Sequence, residues 1–203
     1  MDSIKERFKV KADLLGTEIK QLVKEHGNKV IGEVTLSQVY QGMRGMTGLV
    51  TETSLLDANE GIRFRGYSIP ELKEKLPTVV GGSEPLPEGL FHLMLLGELP
   101  TQEEADTITA TLQRRSHVPN YVFDTIEALP VSSHPMTMFV VAIMALQNGS
   151  HFAKAYASGM NKKDYWDATF DDTLDLIARL PRIAAYIYRR KYRDGQHIEP
   201  NGL

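Results

Sequence analysis

Apolar residues recur every three or four positions along most of the chain, which is the spacing of one face of an α-helix. The first stripe of this kind lies within residues 3–26, and Gly27 and Asn28 follow it as a typical helix stop. The stripe consists of Ile4, Phe8, Ala12, Leu15, Ile19 and Leu22. A shorter helix is predicted from Thr35 to about Gln41. The beginning of the chain is therefore predicted to be helical.

Proline and capping residues indicate where the later helices begin. Ser68-Ile-Pro-Glu71 and Thr101-Gln-Glu-Glu104 each fit a capping box, and Pro87 and Pro135 suit the first turn of a helix. Pro181 lies inside the last predicted helix and is expected to kink it, because apolar periodicity continues on both sides. The helices predicted after the first capping box cover about 87–97, 101–116, 120–128, 135–149, 151–159 and 162–193.

One short segment has the pattern of a β-hairpin instead. Residues 54–56 and 62–64 are separated by the sequence DANEG, a glycine-containing loop between two short strands. On an extended strand Arg63 and Arg65 point to one face, so these two cations are expected to act together. The predicted fold class is all-α, with one small β-hairpin near residues 54–65.

The helix over 136–148 differs from the others because it is apolar on nearly every side. A helix without a polar face is normally buried all round. In a chain of 203 residues this predicts burial either inside a helical bundle or against a second subunit.

Composition excludes several classes of protein. The chain has 203 residues, of which 42% are hydrophobic and 24% charged, as in ordinary globular proteins. The net charge of −3 argues against nucleic acid as a partner. The chain has no cysteine, which excludes disulfides, thiolate chemistry and cysteine-ligated metals.

Targeting signals are not evident in the sequence. The opening MDSIKERFKVK is too polar for a secretory signal, and its acidic residues are atypical of a mitochondrial transit peptide. The longest apolar run is too short to span a bilayer. A cytoplasmic protein without membrane partners is expected, or a mitochondrial matrix protein if a presequence has been removed.

The segment from Gln41 to Ile69 carries the clearest candidate chemistry. It sets three arginines, Arg44, Arg63 and Arg65, among five glycines. Glycine permits a close approach of the backbone, and arginine binds phosphate or carboxylate through a planar fork. The segment is therefore either an anion-binding loop or an ordinary hairpin. In the second case its arginines pair with nearby acidic residues, namely Glu52, Asp57 or Glu60.

Other candidates have simpler interpretations. The six histidines lack metal-ligand spacing, so no metal site is predicted. His92 is expected to be a core or boundary residue, and His134 is expected to cap or pack the helix start at Pro135. The basic run RRKYRDG lies at the negative, C-terminal end of a long helix. The helix dipole explains it better than binding to nucleic acid does. Lys162 and Lys163 belong either to a solvated loop or to a second phosphate contact.

Several irregular blocks of sequence together resemble citrate synthase, in its mitochondrial-type branch. They cover almost the whole chain in order: GMRGMTGLV (42–50), ETSLLDANEGIRFRGYSIPE (52–71), EPLPEGLFHLMLLGELPT (84–101), HPMTMFVVAIMAL (134–146), FAKAYASGMNKKDYW (152–166) and DLIARLPRIAAYIYRRKYRDG (175–195). The resemblance implies the condensation of acetyl-CoA with oxaloacetate and water to citrate and CoA. It implies no cofactor, because acetyl-CoA is a substrate.

The resemblance assigns few residues of this chain. The family's catalytic histidines, its catalytic aspartate and its main oxaloacetate-binding arginines are expected beyond Leu203, so no catalytic residue is assigned in this chain. Arg44 matches a family arginine near the phosphates of CoA. Lys162 falls where relatives have an arginine that reaches the coenzyme of the partner subunit. Arg63 and Arg65 are expected to be mainly structural.

The family fold implies how the chain is organised. Residues 1–203 are expected to form one N-terminal segment of the large domain, with the small, catalytic domain absent. The family is homodimeric, which implies an interface through the helices over 136–148 and 162–193. Two alternatives remain: a helical self-association module without chemistry, and a relative that acts on another acyl-CoA, such as a methylcitrate synthase.

Overall fold

The computed structural model describes residues 1–46, 48–79 and 81–198. The chain divides into two compact units, Met1–Ile108 and Thr109–Leu203. The boundary between them falls inside one helix, α5. Within the described residues, no helix has both the length and the apolar character needed to cross a membrane.

The first unit combines helices with one small sheet. Its helices are α1 (Asp2–His26), α2 (Leu36–Tyr40), α3 (Ile69–Lys75), α4 (Pro87–Leu96) and the start of α5 (Gln102–Arg115). Three antiparallel strands, β1 (Ser54–Asp57), β2 (Gly61–Phe64) and β3 (Tyr67–Ser68), pair in the order β1-β2-β3. In the hairpin, Ser54 lies opposite Phe64 and Asp57 opposite Gly61.

The described residues of the second unit form helices joined by loops, without a strand. It contains α6 (Asn120–Glu127), α7 (Pro135–Leu146), α8 (His151–Ala157) and α9 (Tyr165–Tyr192), with short 3₁₀ turns over Gln147–Gly149 and Lys162–Asp164. Helix α9 continues through Pro181, as predicted from the periodicity on both sides. The mostly helical fold class is thereby confirmed, with the small hairpin in its predicted place.

Local capping signals were accurate guides to helix starts. The Ser68 side chain caps α3 by accepting from the Glu71 N–H, and the Glu71 carboxylate accepts in turn from the Ser68 N–H at 2.7 Å. The His134 ring caps α7 by accepting from the Met136 N–H at 3.2 Å. Strand β3 was not predicted. It follows a turn in which Arg65 and Gly66 both have positive φ, 48° and 88°, so the chain folds back at once.

The core of the first unit lies where α3 and α4 meet the sheet. Leu72, Leu76 and Leu93 are buried there. Phe64, Tyr67, Leu90 and Leu99 pack around them. Helix α1 contributes Ile4 to the buried residues, whereas the same stripe further along the helix is exposed at Ile19 and Leu22.

A polar network ties α1 to the end of α4 and the start of α5. Arg7 donates to the carboxylates of Glu98, at 2.5 Å, and Glu104. His92 is fully buried, as expected of a core residue, and its Nδ1 lies 3.1 Å from the Glu98 carbonyl oxygen. The backbone N–H of Thr101, together with Arg7, lowers the pKa of Glu104 to about 2. The Glu104 carboxylate is therefore ionised at neutral pH, and its contact with Arg7 joins α5 to α1.

The pKa of Glu104 is lowered in the folded protein, so its carboxylate stabilises the fold above about pH 4.5. This contribution to the free energy of unfolding is lost as the pH falls towards 2. We expect Glu104→Gln to lower the free energy of unfolding at pH 7 by about 2 kcal/mol. The difference from the unmodified protein should shrink as the pH falls towards 2. Urea unfolding of both proteins from pH 7 to pH 2.5 measures this. Glu103→Gln, on an exposed neighbour, is the control. A difference that does not change with pH would contradict the assignment.

The core of the second unit forms between α6, α7 and α9. Its buried residues are Val118, Val122, Ile126, Met138, Ala142, Leu146, Ile183 and Ile187. They recur at helical spacing on each of the three helices, so each helix contributes one stripe. Burial of these stripes holds the unit together.

The described residues of this chain do not enclose α7 on all sides. Of the two predicted alternatives, burial within this chain is therefore excluded, and burial against a second subunit stays a prediction. Met138 and Ala142 face the core, whereas Met136, Val140 and Met144 are 57%, 54% and 68% exposed. The two sets lie on opposite sides of the helix, because each recurs at three- to four-residue spacing. The surrounding chain covers one side of α7 and leaves an apolar stripe on the other.

The basic end of α9 does more than complement the helix dipole. Arg190 is buried, and its guanidinium donates to the Glu127 carboxylate at 2.9 Å and to the Leu129 carbonyl at 2.8 Å. Lys191 donates to three successive carbonyls, including that of Ser133 at 2.7 Å. These contacts satisfy the backbone between α6 and α7 and so fix where α7 begins.

Candidate functional site

Arg44 lies in a loop of unusual backbone geometry directly after α2. Gly42, Met43 and Gly45 have φ values of 78°, 62° and 71°. Positive φ is uncommon for a residue with a side chain, and such conformations often occur at binding sites. The Met43 N–H donates to the Gln38 carbonyl at 2.7 Å, so the end of α2 holds the loop.

The Arg44 side chain is exposed. Among the residues that the structure describes, none forms a hydrogen bond or ion pair with its guanidinium. A permanently charged fork without an internal partner is available to an external anion. The glycines on either side leave space around it, because a side chain added at Gly42 would meet nothing within 4 Å.

The other two arginines of this segment are engaged within the first unit. Arg63 donates twice to the Glu60 carboxylate, at 3.0 and 3.1 Å. Arg65 donates to the Met94 carbonyl at 2.8 Å and lies 3.6 Å from the Glu52 carboxylate. The hairpin interpretation with local acidic partners therefore applies to these two residues.

The structure does not support the prediction that Arg63 and Arg65 act together on one strand face. Arg63 lies in β2, but Arg65 falls beyond its end at φ 48°. The alternation of an extended strand no longer applies at that position. The guanidinium of Arg65 instead reaches the end of α4, where it ties the sheet to the helix.

Lys162 lies in the second unit, at the start of the 3₁₀ turn that leads into α9. It is exposed, and none of the described residues pairs with its ammonium group. The Asn161 side chain caps this turn by accepting from the Lys163 N–H at 3.0 Å. The turn is therefore ordered by its own backbone, and the Lys162 side chain remains available.

Helix α8, which precedes this turn, is anchored by one carboxylate that sequence reasoning missed. Asp172 of α9 accepts from the Ser150 hydroxyl at 2.5 Å and from the His151 and Phe152 N–H groups at 2.7 and 3.1 Å. Asp172 is remote in sequence from these groups, so local spacing gave no signal of the contact. It fixes the start of α8 against the N-terminal part of α9.

A cavity of about 220 Å³ lies next to this anchor, but its charged groups already have partners. Its lining includes Asp175 and Arg179. Asp175 accepts from Arg115 at 2.7 Å and from Arg179 at 3.1 Å. The two carboxylates that line the cavity, Asp172 and Asp175, therefore both have partners. The described residues also contain no cluster of side chains suited to a metal ion.

Comparison with known proteins identifies the family that this chain resembles. The family model "Citrate synthase, C-terminal domain" matches residues 42–203. Among curated relatives, mitochondrial citrate synthase of Aspergillus niger is 53% identical over 96% of this chain and 41% of its own length. The mitochondrial enzyme of Daucus carota is 55% identical over 89% of this chain and 38% of its own length. A mitochondrial 2-methylcitrate synthase of Yarrowia lipolytica is 49% identical over 97% of this chain and 42% of its own length.

Solved structures show the same fold. Citrate synthase of Pyrobaculum aerophilum superimposes with a TM-score of 0.65 and 22% identity, over 86% of this chain and 42% of that chain. A citrate synthase of Thermoplasma acidophilum, in ternary complex with carboxymethyl coenzyme A and oxaloacetate, superimposes with a TM-score of 0.53 and 25% identity. The match covers 75% of this chain and 36% of that chain.

The fold thus defines a mostly helical protein of the architecture seen in solved citrate synthases. With the family match over residues 42–203 and relatives about half identical, the chain belongs to the citrate synthase family. It spans about two-fifths of the length of the curated relatives that it matches.

Proposed function

We propose that this chain forms part of an enzyme that condenses acetyl-CoA with oxaloacetate and water, giving citrate and CoA in the tricarboxylic acid cycle. The observation that carries the proposal is identity of about one half, over 96% of the chain, to a named citrate synthase. The reaction uses two substrates and needs no cofactor. A helical self-association module without chemistry is the alternative, and it predicts no turnover by the full-length parent enzyme.

Arg44 contributes a cation to the phosphates of CoA in this proposal. Its exposed guanidinium has no partner among the described residues, and its glycine-flanked loop leaves room for a ligand. Lys162 contributes a second cation from the other unit, towards coenzyme bound by a partner subunit. A lysine keeps the charge of the arginine that the resemblance implies at this position but has no fork, so Arg44 provides the more directional contact.

Arg44→Ala in the full-length parent tests this role. Loss of a charge-assisted hydrogen bond should raise the KM for acetyl-CoA about tenfold. The KM for oxaloacetate should be unchanged, because the proposed contact is to the coenzyme. Steady-state kinetics with each substrate varied in turn measures both values.

Arg63→Ala is the matched control, because Arg63 pairs with Glu60 on the same segment. It should leave both KM values unchanged. An unaltered KM for acetyl-CoA in the Arg44 variant would remove Arg44 from the site.

We propose, as the family resemblance implies, that the acid–base groups lie outside these 203 residues. Abstraction of a proton from the methyl group of a thioester needs a positioned base together with stabilisation of the enolate. His92 is buried, and His134 accepts a backbone hydrogen bond at the start of α7. The resemblance assigns none of the six histidines of this chain to the family's acid–base chemistry.

The purified 203-residue chain should therefore release no CoA from acetyl-CoA plus oxaloacetate. A thiol-reactive dye monitors release directly, since the chain itself has no cysteine to react. The full-length parent, assayed in parallel, should show turnover. Turnover by the 203-residue chain would contradict the placement of the catalytic groups.

A methylcitrate synthase is the second candidate, favoured by the relative from Yarrowia lipolytica at 49% identity. The acyl donors of the two enzymes, acetyl-CoA and propionyl-CoA, differ by one methylene in the acyl group. A comparison of kcat/KM for acetyl-CoA and propionyl-CoA in the parent decides between them. The similarity to named citrate synthases supports acetyl-CoA as the preferred substrate.

The parent is proposed to work in the mitochondrial matrix. The relatives from Aspergillus niger, Daucus carota and Saccharomyces cerevisiae are named as mitochondrial, and another from Saccharomyces cerevisiae as peroxisomal. The cytoplasmic location expected from the sequence finds no support among these relatives.

The chain is also proposed to dimerise through the helices over 136–148 and 162–193. The exposed stripe of Met136, Val140 and Met144 supports this, because contiguous apolar surface marks protein–protein contacts. A groove of about 280 Å³ adjoins it, lined by Pro135, Met136, Phe139, Ala184, Ile187, Tyr188 and Tyr192. A second copy of the same surface would cover both.

Val140→Glu in the full-length parent should weaken the dimer, because it places a charge at the centre of the stripe. We expect the dissociation constant of the dimer to rise at least about a hundredfold, measured by analytical ultracentrifugation. Gln113→Glu adds the same charge on exposed α5 and should leave assembly unchanged. An intact dimer in the Val140 variant would place the interface elsewhere.

A further inference from the structure

The turn between α7 and α8 contains an asparagine followed directly by a glycine, Asn148-Gly149. Both residues belong to the 3₁₀ turn Gln147–Gly149 at the end of α7. Glycine has no Cβ, so its backbone nitrogen is the least hindered of any residue that can follow an asparagine. The other asparagines among the described residues each precede a residue with a side chain, and they are Asn28, Asn59, Asn120 and Asn161.

The Asn148 side chain is exposed, and no described residue forms a hydrogen bond with its carboxamide. Asn161, in the turn at the other end of α8, differs in this respect. Its side-chain oxygen accepts from the Lys163 N–H at 3.0 Å. The Asn148 carboxamide is therefore free to rotate towards the nitrogen of Gly149, which lies within reach for closure of a five-membered ring.

The backbone at Gly149 is also open. A Cβ added there would meet no atom within 4 Å beyond its immediate chain neighbours. The Ser150 N–H donates to the Gln147 carbonyl at 3.0 Å and closes the turn. Hydrogen bonds in 3₁₀ turns have poorer geometry than those of an α-helix, and helix ends fray. The Gly149 nitrogen is thus released by local opening of this short turn, without disruption of the buried core.

We propose that Asn148 is a site of spontaneous deamidation through a succinimide. The Gly149 nitrogen attacks the side-chain carbonyl carbon of Asn148, and a carbon–nitrogen bond forms. The bond from that carbon to the side-chain nitrogen breaks, and this nitrogen leaves as ammonia with the proton of the Gly149 amide. Water then opens the ring at either of its two carbonyls, which gives aspartate or isoaspartate. The reaction needs no reactant other than water and changes no oxidation state.

The modification would act on the corner that holds α8. Either product places a carboxylate at the end of α7, where the helix dipole disfavours negative charge. The cavity beside Gly149 is already lined by Asp172 and Asp175. Isoaspartate also adds an extra carbon to the main chain just before Ser150, whose hydroxyl donates to Asp172 at 2.5 Å. Both the charge and the longer backbone therefore disturb the anchor between α8 and α9.

Prolonged incubation of the full-length parent in mildly alkaline buffer tests the proposal, because the deprotonated amide nitrogen is the attacking group. Peptide mapping by mass spectrometry should show aspartate and isoaspartate accumulating in place of Asn148. Isoaspartate is the diagnostic product, since direct hydrolysis of the carboxamide by water gives aspartate alone. The peptide that contains Asn161 should stay unmodified over the same period, because its carboxamide is engaged and a lysine follows it.

Gly149→Ala is the matched control variant. The structure has room for the added methyl group, so the unfolding midpoint should not fall. The methyl group hinders the approach of the nitrogen and restricts the backbone, so deamidation should slow at least about tenfold. Circular dichroism establishes that the variant is folded.

Each outcome decides the proposal. Isoaspartate at Asn148 that Gly149→Ala suppresses would support it. Aspartate without isoaspartate would overturn it, and so would equal conversion in the parent and the variant. An Asn148 that stays intact in the folded parent but converts in urea would also overturn it, since the folded turn would then protect the residue. None of these results depends on turnover, so the proposed function is tested separately.

Discussion

The packing of α9 against α6 and α7 is the interaction on which the second unit depends. Ile183 and Ile187 of α9 are buried with Met138 and Ala142 of α7. Two arginines also stabilise this packing. Arg190 donates to backbone carbonyls before α7, and Arg115 of α5 donates to the α9 carboxylates Asp171 and Asp175. The same helix then supports α8 through Asp172. The position of α8 therefore depends on where α9 lies.

The first unit is held differently, and this affects the Arg44 loop. Its buried core is centred on Leu72, Leu76 and Leu93, remote in sequence from Arg44. Apolar residues on either side of the loop are strongly exposed, for example Ile31 at 77% and Leu49 at 83%. The loop owes its shape to positive φ angles and to the hydrogen bond from Met43 to α2 rather than to burial. Its shape is thus a local property of the glycine-rich sequence.

Features that are decided by neighbouring residues were predictable from sequence, and features decided at a distance were not. The caps at Ser68 and His134 and the continuation of α9 through Pro181 depend on a few adjacent residues, and they lie where predicted. The exposed side of α7 was not predictable, because apolar composition does not show which face the rest of the chain covers. The anchoring of α8 by Asp172 joins residues about twenty positions apart, and no periodic pattern encodes it.

The candidate site shows how a structure separates residues that look equivalent in a sequence. Arg44, Arg63 and Arg65 share a glycine-rich segment, and composition allowed local acidic partners for all three. Two of them have such partners: Arg63 with Glu60 and Arg65 with Glu52. Arg44 has none among the described residues, since it lies before the hairpin that carries those carboxylates. Resemblance to the family selected Arg44 through its motif. The geometry supports the same proposal, because a charge without an internal partner is available to an external anion.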